Sequence, residues 1–126
     1  MRKVVAVVPD LFFAAKIAAV AKAAGVSLAT VPSTEALARC AAEPPELVLL
    51  DLHAPGDPCD LVRTLKADSR TRAIPIVGFY SHVEGERRRA ALAAGIDEAL
   101  PRSAFVVRLP ALLAGAPGPR PDAARP

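Results

Sequence analysis

The chain has 126 residues, 52% of them apolar, and a net charge of +3. That is enough to build one packed domain, and it is too apolar for a disordered chain. Its one dense basic run, Arg87-Arg88-Arg89, has no interleaved aromatic residue to stack a base, so no nucleic-acid partner is expected.

No stretch is long and apolar enough to span a bilayer, so no membrane partner is expected either. The amino end superficially resembles a signal peptide, but Pro9 and Asp10 cut its apolar run short. Cys40 and Cys59 stand outside any C-x-x-C, and two thiols make no disulfide framework. A cytoplasmic protein with reduced cysteines is the expectation.

Val4-Val5-Ala6-Val7-Val8 is a β-branched run and reads as a buried strand. Pro9 stops it, and Asp10 is placed to cap the helix that follows. Phe13, Ile17, Val20 and Ala24 recur at helical spacing, and Gly25 ends that helix. Ser27 to Val31 is a second strand closed by Pro32, and Ser33 is expected to cap a helix running to Ala42.

Leu47-Val48-Leu49-Leu50 lies between Pro44-Pro45 and Pro55-Gly56 and ends on the lone carboxylate of Asp51. An uninterrupted apolar run of this length reads as a strand buried on both faces, as in a parallel sheet. Asp57-Pro58 is a cap followed by a proline at the first helical position. Ile74 to Phe79 is the fourth strand.

Ser81-His82-Val83-Glu84 fits a capping box for a helix that Gly95 closes. Ile96 to Leu100 is the fifth strand. Ser103 is expected to cap a last helix, which Pro110 should kink or cut to little more than two turns. Residues 116–126 hold Ala, Pro, Gly, Arg and Asp. With nothing to bury, they read as a disordered tail after a domain of residues 1–115.

Five strands alternating with five helices imply right-handed crossovers and an α/β fold. A parallel sheet of five strands with helices packed on both faces is expected.

In its motifs the chain resembles the receiver domain of two-component response regulators, of the chemotaxis-regulator type. Asp51-Leu52-His53-Ala54-Pro55 matches that family's phosphoacceptor motif at a strand end. Ile74-Pro75-Ile76-Val77 resembles its fourth strand, and Ala94-Gly95-Ile96-Asp97 its passage into the fifth.

The resemblance implies a flavodoxin-like, doubly wound α/β fold with a five-stranded parallel sheet in the order 2-1-3-4-5, and it makes Asp51 the phosphoacceptor position. It implies a magnesium ion held by Asp51 and two acids after the first strand, with a hydroxyl and a lysine to contact the phosphoryl oxygens. The acid pair falls instead on Val8 and Pro9, with Asp10 beside them as a remnant. The hydroxyl falls on Tyr80, whose bulk is expected to crowd a phosphoryl group, with Ser81 adjacent. The lysine falls on Arg102, which reads either as a solvated surface arginine or as a guanidinium fork that reaches Asp51.

Magnesium would rest on Asp10 and Asp51 alone, a weak set for an ion that prefers an octahedral shell of oxygens, so no cofactor is expected. Asp51-Leu52-His53-Ala54-Pro55-Gly56 also spells the D-x-H-x-x-G of cobalamin-binding domains, but it follows the third strand rather than the first, and no Gly-Gly occurs. His53, Asp57, Cys59 and His82 all fall at the carboxyl edge, yet their spacing matches no familiar zinc pattern.

The reading favoured by these residues is a stand-alone pseudo-receiver without enzymatic activity. It would act by protein contact with a histidine kinase or output protein, through the fourth and fifth helices and the Arg87-Arg88-Arg89 run. The last helices are the expected surface for any homodimer. A conventional regulator phosphorylated on Asp51 by a histidine kinase is the second reading. A small-ligand or cobalamin carrier is the third, from another class.

Overall fold

The computed structural model describes residues 1–81 and 85–115. Five strands alternate with five helices: β1 (Lys3–Val7), α1 (Leu11–Ala23), β2 (Ser27–Thr30), α2 (Ser33–Ala42), β3 (Leu47–Asp51), α3 (Pro58–Ala67), β4 (Ile76–Tyr80), α4 (Gly85–Ala94), β5 (Glu98–Pro101) and α5 (Arg102–Ala114). The strands form one parallel sheet in the order 2-1-3-4-5. This is the flavodoxin-like architecture expected for the chain.

Side chains alternate across the central strands, as period two requires. Val4, Ala6, Leu47, Leu49, Val77 and Phe79 face α1 and α5. Val5, Val7, Val48, Leu50, Ile76 and Tyr80 face α2, α3 and α4. Both faces of β3 are therefore covered, which explains its unbroken apolar run.

Gly78 marks the tightest approach to the sheet. A Cβ there would lie 2.8 Å from Ile96 Cδ1 and 3.1 Å from Leu52 Cγ, so no larger residue fits without displacing them.

The α1 stripe is Phe13, Ile17 and Ala21, one turn short of the expected Ala24, which is the C-cap residue itself. Gly25 follows in the left-handed region at φ +71°, as its role after the helix requires.

Two expected serine caps are corrected. Pro32 and Pro101 occupy the N-cap positions of α2 and α5, and neither helix has a side-chain cap. Ser33 is the first residue inside α2, and its hydroxyl instead donates to the Pro55 carbonyl at 3.4 Å. Proline is pre-set to the extended backbone of a cap but offers no side-chain acceptor, and α2 begins one residue early and α5 two.

Pro110 does not cut α5, which continues through it to Ala114. Its ring lies on the exposed side, while Phe105, Leu109 and Leu113 are buried and hold both halves against the sheet. The capping box at Ser81 to Glu84 and the tail at 116–126 fall partly or wholly outside the described residues.

Candidate functional site at the carboxyl edge of the sheet

All five strands run the same way, so the residues following them collect at one edge. Asp51, half-buried, ends β3 opposite Phe79. Tyr80 ends β4 opposite Pro101, and Arg102 opens α5 directly after β5. Asp10 precedes α1 at the same edge. The four expected site residues are thus brought to one end of the molecule, but only two of them pair.

Asp10 is committed twice. Its Oδ1 accepts the amide protons of Phe12 at 3.0 Å and Phe13 at 3.2 Å, closing the first turn of α1 as an N-cap. Its Oδ2 lies 3.4 Å from Arg102 Nη2. The Phe13 amide, the Arg102 guanidinium and the Phe12 amide together hold its carboxyl below the usual carboxylate range, against a smaller opposing effect of desolvation.

Arg102 departs from the expected partner. Its guanidinium does not pair with Asp51. Its Cζ lies over the Phe13 ring at 3.9 Å from the centroid, and its Nη2 turns to Asp10. Phe13 packs edge-on against Phe79 at 5.0 Å, and Phe79 against Phe105 at 4.6 Å. Stacking on a fixed aromatic surface holds the cation on the α1 side of the edge. The residue types for this contact are present in the sequence, but their spacing does not signal it.

Asp51 accepts the His53 amide on Oδ1 at 2.8 Å, which turns the chain sharply after β3. Tyr80 is also corrected. It is 6% exposed and packs among the aliphatic residues on the α2–α3–α4 side. The phenol side chain therefore leaves the edge instead of crowding it, because Tyr80 and Asp51 lie on opposite faces by strand alternation.

His53 has a role that motif matching missed. Its Nε2 accepts the Ser81 amide proton at 3.0 Å, joining the loop after β3 to the loop after β4. That bond occupies the nitrogen lone pair which a cobalt or zinc ion would need. Nothing in the spacing of His53 and Ser81 signals it. Arg87 also turns inward: Nη1 donates to the Leu52 carbonyl at 2.9 Å. Arg88 and Arg89 alone of the basic run stay exposed.

Where the resemblance places two acids, the wall is apolar. Val8 is buried and Pro9 is exposed. Both line a groove of about 420 Å³ with Leu11, Pro32, Ala54 and Pro55. Among the described residues no three of His, Cys, Asp and Glu converge as a metal site. The expected zinc set includes His82, which lies outside the described residues.

The donors present fit a magnesium ion poorly. Asp10 is held by two amides and an arginine, Asp51 has one oxygen engaged, and Val8 and Pro9 offer no side-chain ligand.

No protein-family model and no curated protein sequence matches the chain. Solved structures do match. A candidate response regulator from Chloroflexus aurantiacus superposes with a TM-score of 0.78 at 22% identity, over 90% of this chain and 98% of that one.

The fold is that of receiver domains.

A receiver domain of a sensor histidine kinase from Pseudomonas aeruginosa, solved with magnesium in its active-site cleft, gives 0.77 at 19% identity over 91% of this chain and 98% of that one. The Vibrio cholerae chemotaxis response regulator CheY4 gives 0.75 at 19% identity over 86% and 98%. Against that receiver fold, the edge described here keeps an aspartate at the end of β3. It carries apolar and cationic side chains around that aspartate. Among the described residues no helix is long and apolar enough to cross a membrane.

Proposed function

We propose that this receiver-fold protein takes part in two-component signalling by protein contact, without enzymatic turnover, in the cytoplasm, and with Asp51 kept out of durable phosphorylation. The observation that carries this reading is the double commitment of Asp10 to the α1 cap and to Arg102. Transfer of a phosphoryl group to a carboxylate brings negative charges together, and a bound cation ordinarily offsets them. Here Asp10, at the same edge of the sheet, is already paired, and its partner is an arginine held over the Phe13 ring.

The partner is expected to be a signalling protein, either a histidine kinase or an output protein. Arg88 and Arg89 on α4 suit an acidic or mixed-charge surface. The conventional reading, phosphorylation of Asp51 by a histidine kinase, stands second because Asp51 keeps its place at the strand end with one carboxylate oxygen given to the His53 amide.

The deciding experiment is incubation with magnesium and acetyl phosphate, followed by intact mass spectrometry. No stoichiometric phosphoryl adduct is expected. An adduct that disappears in Asp51→Asn would replace this reading with the second.

A further inference from the structure

We infer that the groove at the carboxyl edge, bounded by the loops after β1, β2 and β3, binds a small, uncharged and largely apolar molecule that carries a hydroxyl or carbonyl group. The inference stands apart from the protein-contact reading above and does not depend on the state of Asp51.

The strand order explains why a groove opens there. β1 and β3 are neighbours in the sheet. The helix after β1 covers one face and the helix after β3 covers the other. Adjacent strands whose connections part in this way leave a crevice outside their carboxyl ends, and ligands of open α/β sheets bind in such crevices. Val8 and Leu11 line it from the β1 side, and Ala54 and Pro55 from the β3 side. Its volume of about 420 Å³ falls within the roughly 300–1,000 Å³ of small-molecule sites.

The walls say what fits. None of the lining residues is charged. Asp10 adjoins them in sequence but is given to the α1 cap and to Arg102. A charged ligand would therefore lose its water and find no counter-charge. Val8, Val31 and Ala54 are the buried part of the lining. Leu11, at 82% exposure, offers apolar area that a ligand would remove from water.

The groove is also built before a ligand arrives. Pro9, Pro32 and Pro55 stand along its exposed lining, and proline has almost no side-chain freedom to lose on binding. Ser33 Oγ donates to the Pro55 carbonyl at 3.4 Å, which ties the α2 wall to the β3 wall. Thr30 and Thr34 add hydroxyl residues on the α2 side. A hydroxyl both donates and accepts, so the polar group asked of the ligand is a neutral one.

The test uses the whole chain with labelled Ala, Leu and Val methyl groups. Three probes share one ring system: naphthol, naphthoate and naphthylmethylammonium, which are neutral, anionic and cationic at neutral pH. Naphthol is expected to shift the methyl resonances of Val8, Leu11, Val31 and Ala54 and to bind at least about tenfold more tightly than either charged probe. Leu11→Asp and Pro55→Asp each place a carboxylate at an exposed position on one wall. Each should weaken naphthol at least about tenfold and turn the preference to naphthylmethylammonium, with the amide spectrum elsewhere unchanged.

Equal affinity for the three probes would overturn the proposal, as would shifts centred on Phe12 or on α4. So would naphthol binding that both substitutions leave untouched, or no shift up to the solubility limit of naphthol. Shifts of the same methyl groups that follow protein concentration without any probe would give the groove to a second copy and overturn it as well. A phosphoryl adduct on Asp51 would overturn the proposed function and leave the groove standing, so the two failures are distinguishable.

Discussion

On one side of the sheet α1 and α5 close over Phe13, Phe79 and Phe105, and their outer surface is apolar and free of acids. On the other, α2, α3 and α4 close over aliphatic residues and Tyr80, and their outer side is laced with ion pairs. There Arg63 meets Asp57 and Asp60, Lys66 meets Asp97, and Arg70 meets Asp68.

The difference teaches where this fold has placed its chemistry. The aromatic side carries a cation, Arg102, on its rings and spends the nearby acid on it. The aliphatic side uses paired charges to fasten loops.

The strongest way to break this comparison is to hollow the aromatic side. Phe105 is fully buried, and Phe105→Ala should cost about 4 kcal/mol in urea unfolding, against nearer 3 kcal/mol for Leu65→Ala across the sheet. Equal losses would erase the distinction between the two cores.

Next in size is the ion-pair side. Asp97 Oδ2 accepts from Lys66 Nζ at 2.7 Å and from the Ile76 amide at 2.7 Å. Asp97→Ala orphans a part-buried amide and should cost about 2 kcal/mol by the same measurement. A loss under about 0.5 kcal/mol would mean that this pair is only a surface ornament.

A smaller effect sharpens the aromatic side. Arg102→Met keeps an apolar cover on Phe13 but releases Asp10. The folded Asp10 carboxyl titrates below its ordinary 3.8. Its stabilising effect is therefore present above 3.8 and is lost as pH falls through the depressed folded value. In Arg102→Met the carbon-13 titration midpoint of Asp10 should move up toward 3.8 without reaching it, because the Phe13 and Phe12 amides still bind the carboxylate. An unmoved midpoint would show that the arginine does not reach Asp10 in solution.

The smallest effect belongs to Asp68. The side-chain and backbone hydrogen bonds from Arg70 lower it from 3.8 to about 2. Its contribution is complete above 3.8 and fades between 3.8 and about 2. Arg70→Gln should narrow that window in an acid titration of the Asp68 carboxyl. A midpoint still near 2 would assign the shift to the Arg70 backbone amide alone.

The layers and the gathering of Asp10, Asp51, Tyr80 and Arg102 were legible in the sequence, because hydrophobic period and turn residues mark the elements, and the strand order was legible through the resemblance of its motifs to receiver domains. Asp57 caps α3 by accepting the Asp60 amide at 3.0 Å, as its place before Pro58 foretold. The pairings at the site were not legible. Arg102 pairs with Asp10 and lies over the Phe13 ring, a combination that no spacing in the sequence announces. The face to which Tyr80 turns follows from the last residue of β4, and strand ends are where residue patterns are least sharp. The His53 to Ser81 bond depends on two loop conformations that carry no periodic signal.

Arg2 offers a different consequence. Its Nε donates to the Leu113 carbonyl at 2.9 Å, and Nη2 lies 3.4 Å from the Leu112 carbonyl. The second residue of the chain thereby caps the end of the last helix, across a sequence separation of 111 for the first bond. The fastening ties the residue before β1 to the carboxyl end of α5. It makes the seating of α5 a report on whether β1 is in place, so that the first and last elements are gained and lost together.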